Sequence, residues 1–341
     1  METQMTTAMI VAGVTMLTSA VSCGSKDAVT DPIQHGLLVM SNASGRLFTV
    51  RDDGSNKTIL PRSGYTPSWT PDGRIIFVSN QGGSSQIWIM GADGGNPQQV
   101  GNLQLEMGNP VAKPQLAKNG LIAFADVQGS PTQTQDNPGP QNGTWVMQQN
   151  GSGLRQLISN CTAPSLALSG KWVTCTLETQ NPYHREIWRI NTDGTGLQQL
   201  TFLGDPDYPD GNASSISPDE STVAFFSGKE SDQGLAGFTQ SVLTWGHRNV
   251  AVVPAVGVAR RTITDCTPVT TLAEIQALPP GGCIAADNPA WSPDGLWLIY
   301  DRGSPNAGES GTWMIDLSGK NNQRLYPDTR GAGNAPMKYV N

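Results

Sequence analysis

The chain has 341 residues, a formal net charge of −7 and only 14% charged residues. Lysine and arginine never gather beyond pairs such as Arg260-Arg261, so the basic footprint that a phosphate backbone requires is missing, which excludes nucleic-acid binding. Its 39 glycines and 24 prolines recur between short apolar runs, a composition that suits many strands joined by tight turns.

Residues 8–21 form an apolar stretch too short to span a bilayer. It runs into Thr18-Ser19-Ala20-Val21-Ser22-Cys23, small residues of the kind that precede a secretory cleavage point. We read 1–22 as a signal peptide. The Ala20-Val21-Ser22-Cys23 ending resembles a bacterial lipobox, although Leu is usual where Ala20 stands. That resemblance implies acylation of Cys23, a lipid-anchored linker over 23–35 and, with Gly24 next, delivery to the outer membrane. An ordinary thiol in a leader is the competing reading of Cys23.

A repeat follows from residue 36 onward. Its clearest copy runs Pro67-Ser68-Trp69-Thr70-Pro71-Asp72-Gly73, then Ile75-Ile76-Phe77-Val78, then Gln86-Ile87-Trp88-Ile89-Met90, Asp93-Gly94 and Gln98-Gln99-Val100. It returns as Pro289-Ala290-Trp291-Ser292-Pro293-Asp294-Gly295 with Trp297-Leu298-Ile299-Tyr300 and Thr312-Trp313-Met314-Ile315. Pro-Asp-Gly is turn chemistry: proline presets φ, aspartate bonds nearby backbone and glycine accepts positive φ. Asp-Gly at 53–54, 93–94 and 193–194 favours a hairpin before the last strand. Each unit is thus four antiparallel strands, one propeller blade. Degenerate copies start near Pro164 and Ser217. The last short strand recurs around Leu60, Val100, Leu157, Leu200, Ile263 and Leu325, which predicts six blades. A seventh, degenerate blade within 228–288 is the competing count. The first copy lacks its Pro-x-Trp strand, and the tail Asn334–Tyr339 is expected to supply it, closing one blade from both termini.

These motifs resemble the WD40-like PD40 repeats of TolB-type propellers over residues 36–341. The resemblance implies an all-β fold, a six-bladed β-propeller of four-stranded antiparallel blades, with insertions at about 128–143 and 228–288. The second insertion carries an expected short helix, Thr271–Leu278. Proteins of that type carry an additional N-terminal α/β domain, for which Gly24–His35 offers no room, so a TolB role is not implied.

Cys23 aside, Cys161, Cys175, Cys266 and Cys283 fall into two local pairs. Secreted chains keep disulfides, so Cys161–Cys175 and Cys266–Cys283 are expected, each closing a short loop worth about 3 kcal/mol. Four reduced core thiols are the alternative. A metal is disfavoured because no CxxC or histidine partner lies nearby.

Little else reads as chemistry. No Gly-x-Ser-x-Gly elbow occurs, which excludes a serine-peptidase reading. His35, His184 and His247 are isolated in loops. Asp205, Asp207 and Asp210 could offer oxygens to Ca²⁺, but inter-blade connections of such repeats normally carry Asp, Pro and Gly. Trp88, Trp145, Trp188 and Trp313 recur at one place in each copy and are expected to pack between blades. No catalytic residue or cofactor is assigned. The expected function is a non-enzymatic binding or scaffold lipoprotein of the bacterial envelope. It would be a monomeric propeller engaging an envelope protein or glycan through one face, touching membrane only by its lipid. The alternative is a polysaccharide lyase or glycoside-active enzyme with its site at the channel mouth.

Overall fold

A computed structural model describes residues 36–42, 44–82, 84–105, 113–126, 143–178, 185–202, 210–228, 248–257, 259–267, 273–274, 277–304, 309–327 and 337–339. All fall in one unit, His35–Asn341. The segments 1–22 and 23–35, with Cys23, lie outside the described residues, as do Asp205, Asp207 and the three histidines.

Among the described residues twenty-four strands follow one another. The first are β1 (Gly36–Ser41), β2 (Arg46–Arg51) and β3 (Thr58–Ser63). Next come β4 (Tyr65–Trp69), β5 (Ile75–Gly82), β6 (Ser84–Met90) and β7 (Gln98–Leu105), then β8 (Gln115–Leu116), β9 (Leu121–Asp126), β10 (Gly143–Gln148) and β11 (Arg155–Ser159). The fourth group is β12 (Cys161–Leu166), β13 (Trp172–Glu178), β14 (Arg185–Asn191) and β15 (Gln198–Gln199). The fifth is β16 (Asp210–Ile216), β17 (Thr222–Gly228), β18 (Arg248–Pro254) and β19 (Arg261–Thr262). The chain ends with β20 (Ala285–Trp291), β21 (Trp297–Gly303), β22 (Gly311–Asp316), β23 (Asn322–Tyr326) and β24 (Met337–Tyr339).

Each group is an antiparallel meander. Three form separate four-stranded sheets, and β12–β23 join into one twelve-stranded sheet. The joins are thin: one parallel pair at Arg185↔Asp210 and one at Arg248↔Ala285. Strand β24 pairs antiparallel with β1, Leu38 opposite Met337, so the first sheet is built from both ends of the chain. This is the architecture of a β-propeller.

The turn after each first strand explains why the motif folds this way. The Thr70, Ser217 and Ser292 hydroxyls each donate to an aspartate two residues on, Asp72, Asp219 and Asp294, at 2.5 Å in all three cases. Gly73 and Gly295 then take φ of 80° and 73°, where a side chain would be strained. Second strands are buried along almost their whole length, because each packs against a neighbour on both faces. Fourth strands are exposed apart from one apolar anchor, such as Leu60 or Leu325.

Apolar clusters seal the junctions. Leu47 and Leu60 meet Trp69 and Phe77, and Ile87 and Val100 meet Leu116 and Phe124. Ala123 and Val146 meet Val173 and Ile190, and Ile187 and Leu200 meet Phe225 and Val253. Val250 and Ile263 meet Trp291 and Tyr300. Finally Ile299, Met314 and Leu325 meet Leu38 and Phe48, which returns the ring to its first sheet.

Cys161 and Cys175 form a disulfide across β12 and β13, and Cys266 and Cys283 form a second between β19 and β20. The stretch 228–288 is less of an insertion than its sequence implies. It holds β18, β19 and the start of β20, and β18 pairs with β17 from Thr222↔Pro254 to Gly228↔Arg248. Within 271–278 the described helical residues are Ala273 and Glu274, with the Ala277 N–H donating to the Ala273 carbonyl at 3.0 Å. Of 128–143, only Gly143 is described; it opens β10.

Candidate functional site

The first strands of four groups, β4, β12, β16 and β20, share a backbone irregularity near the centre of the ring. Register breaks between Tyr65 and Ser68, Thr162 and Ser165, Asn212 and Ser215, and Asp287 and Ala290. Within each break one residue has positive φ: Thr66 at 48°, Ala163 at 48°, Ala213 at 48° and Asn288 at 49°. Lys113, two residues before β8, does the same at 35°. Thr66, Lys113, Ala163 and Asn288 each precede a proline, which has no N–H to give a ladder.

Beyond these breaks, the ends of β4, β8, β12, β16, β20 and β24 converge around a cavity of about 280 Å³. Its wall is largely apolar, with Trp69, Leu116, Leu166, Ile216 and Trp291 among the lining residues. The two indole N–H groups donate to the Leu37 and Ser215 carbonyls at 3.0 Å each, which fixes both rings. Prolines 71, 218 and 293 and the hydroxyls of Thr70, Ser217 and Ser292 form the rim. Lys338 is the charged side chain of the lining. Its ammonium sits 4.0 Å from the Trp69 ring centroid, and burial holds its pKa below the usual lysine value.

A second, deeper constellation is ionic. The buried Lys113 side chain places its ammonium 3.4 Å from Asn288 Oδ1. Asn288 donates to Asp301 Oδ2 at 3.3 Å, and the Thr312 hydroxyl donates to Asp301 Oδ1 at 3.4 Å. Arg248 pairs with Asp287 at 3.4 Å, its guanidinium 5.2 Å from the Phe226 ring centroid. Lys113 belongs to the β8–β11 group, whereas Asn288 and Asp301 belong to β20–β23. Those groups share no junction, so the contact runs through the centre of the ring. Burial dominates the titration here. It pushes Asp301 up to about 8, with Asp287 adding to the rise and Lys113 opposing it. It brings Lys113 down to about 8 against the pull of Asp301 and Asp287. Asp287 is raised for the same reason, with Arg248 opposing.

Of the residues singled out from sequence, Asp210 opens β16 and pairs with Arg185 through backbone, away from the cavity. Among the described residues no three His, Cys, Asp or Glu side chains gather as a metal site. The recurring tryptophans stand in equivalent register, Trp88 opposite Phe77, Trp145 opposite Phe124, Trp188 opposite Cys175 and Trp313 opposite Tyr300. Trp88, Trp145 and Trp313 pack on junction clusters. Sequence reasoning missed Lys113, Arg248, Asp287, Asp301 and Lys338. One signal for the buried cluster was available: Lys113-Pro114 and Asp287-Asn288-Pro289 put charge where the other copies carry Tyr65-Thr66-Pro67 and Thr162-Ala163-Pro164.

No protein-family model matches the sequence, and no curated protein matches it. Solved structures do. TolB from Acinetobacter baumannii superposes with a TM-score of 0.60 at 14% identity, over 88% of this chain and 65% of that one. The chain therefore spans just under two thirds of that protein's length. A putative TolB from Agrobacterium tumefaciens gives 0.58 at 15% identity, over 90% and 99%. An oligogalacturonate lyase from Vibrio parahaemolyticus gives 0.50 at 11%, over 85% and 79%. At these identities the likeness is one of fold: a TolB-type β-propeller.

Proposed function

We propose that this protein is an extracytoplasmic binding module, a six-bladed β-propeller over 36–341 that engages an envelope protein at the channel mouth. The observation that carries this reading is the cavity lining. Fixed indoles, aliphatic side chains, prolines and hydroxyls surround a single cation, which is the make-up of a recognition surface. The fold likeness and the two disulfides, bonds that persist in oxidising compartments, support an envelope location. Removal of 1–22 and acylation of Cys23 would tether the module to the outer membrane. In-cell crosslinking from a photoreactive residue in place of Leu168, which lines the cavity, tests the reading. We expect one reproducible envelope protein; capture from a blade rim but not from Leu168 would remove the mouth from consideration. Mass spectrometry of the mature N-terminus tests the anchor, which fails on any unmodified start other than Cys23.

A second reading, an enzyme acting on uronate polysaccharide, draws on the buried carboxyls Asp287 and Asp301, whose raised pKa values suit proton transfer. Unsaturated product from oligogalacturonate, lost in Asp301→Asn, would favour it over the binding module.

A further inference from the structure

Lys338 is an unusual lining residue. Its ammonium rests 4.0 Å from the Trp69 ring centroid, burial lowers its pKa, and no carboxylate among the described residues pairs with it. Among the described residues this cation thus stands without a carboxylate, whereas Lys113 deeper in the ring is matched by Asp287 and Asp301. The remaining wall offers Trp69, Leu116, Leu166, Ile216 and Trp291, an apolar cup large enough for one side chain.

The backbone adds a third feature. Strands β4, β8, β12 and β24 are end strands of their sheets. Strands β16 and β20 touch a neighbouring group only at Asp210 and Ala285, the ends away from the cavity. Inner strand edges thus converge where the cavity opens, with side chains already holding part of them: the Leu166 N–H donates to Gln115 Oε1, the Ile216 N–H donates to the Ser165 hydroxyl at 3.1 Å, and the Ser215 carbonyl accepts the Trp291 indole N–H.

We propose that the cavity captures the C-terminus of a partner polypeptide. Its terminal carboxylate meets the Lys338 ammonium and its last, apolar side chain fills the cup between Trp69 and Trp291. This rests on the binding-module reading and specifies its ligand. The aliphatic wall favours an apolar side chain over a hydroxylated sugar. One face of Trp69 is already covered by Lys338, which removes a stacking surface that a sugar would use.

Calorimetric titration of the full-length protein with an N-acetylated tetrapeptide ending in leucine, as free acid and as C-terminal amide, tests the proposal. The free acid binds and amidation weakens it about tenfold or more, the loss of one charge-assisted contact. In Lys338→Met the two peptides bind alike; in Lys338→Arg the preference for the acid returns. Equal binding of acid and amide to the unaltered protein, binding of neither, or preferential binding of a trigalacturonate overturns it. If crosslinking from position 168 still captures an envelope protein, only the C-terminal ligand falls and the binding module stands. If that crosslinking fails too, both fall.

Discussion

Glu220 occupies the position that Gly73 and Gly295 hold in sister turns, and it adopts the same left-handed backbone, φ 62°. A side chain there costs about 1–2 kcal/mol relative to glycine. The compensation lies in the neighbouring strand group, β12–β15. The Glu220 carboxylate accepts the Ser169 N–H at 2.6 Å, the Ser169 hydroxyl at 3.0 Å and the Trp172 indole N–H at 3.1 Å. Three charge-assisted bonds across a junction outweigh one strained residue. The two contributions separate on substitution. Glu220→Ala keeps the strain and loses the bonds, so it should destabilise by about 2 kcal/mol. Glu220→Gly loses the bonds but relieves the strain, so it should recover about 1 kcal/mol of that loss. Denaturant unfolding of the three proteins checks the order; alanine at or above glycine would mean that the backbone is not strained.

At the scale of the element, the strand that joins the chain's ends carries the ring's closure. Met337 is 4% exposed and packs with Leu38, Met40 and Phe48 from its own sheet and with Ile299, Met314 and Leu325 of the neighbouring one. Met337→Ala should cost about 2–5 kcal/mol through the cavity it leaves. Opening should be local: amide exchange should accelerate at Leu38, opposite Met337, well before Ile122 on the far side. Uniform acceleration at both would show that the seam is not a separate unit. This closure was legible in sequence, because the first copy visibly lacks a strand that the tail resembles. The four-strand grammar was legible for the same reason: turn chemistry and β alternation are local properties. Strand β18 was hidden within 228–288 because Ala251 stands opposite Phe225 where other groups place tryptophan. The site was hidden more deeply. Nothing local tells Lys113 that its partners lie 175 residues away, or that Lys338 will stand beside Trp69. Those relations exist only once the ring is closed.

The whole molecule pays for that closure at its centre, where Lys113, Arg248, Asp287 and Asp301 are brought out of water together. Two of these groups set opposite slopes in stability against pH. Asp301 moves from an ordinary carboxyl pKa of 3.8 up to about 8 on folding. Between those values the folded state binds the extra proton, so this group's contribution is greatest below 3.8 and is lost as pH rises toward 8. Lys113 moves from 10.5 down to about 8. Between 8 and 10.5 the unfolded state binds the extra proton, so stability rises with pH across that window. The cluster's contribution therefore passes through a minimum near pH 8. Asp287, raised by burial, steepens the acid-side slope, while its pair with Arg248 moderates it. Unfolding free energies at pH 5, 8 and 10 test this through differences between variants, which cancel the surface groups. Relative to the unaltered protein, Asp301→Asn should flatten the fall from pH 5 to 8, and Lys113→Met should abolish the rise from 8 to 10. Lys113→Met should also be the costlier change at pH 8, because it leaves two buried carboxyls facing one arginine. Parallel pH profiles in all three proteins would mean that the central charges are solvated, and that the ring is open where these contacts close it.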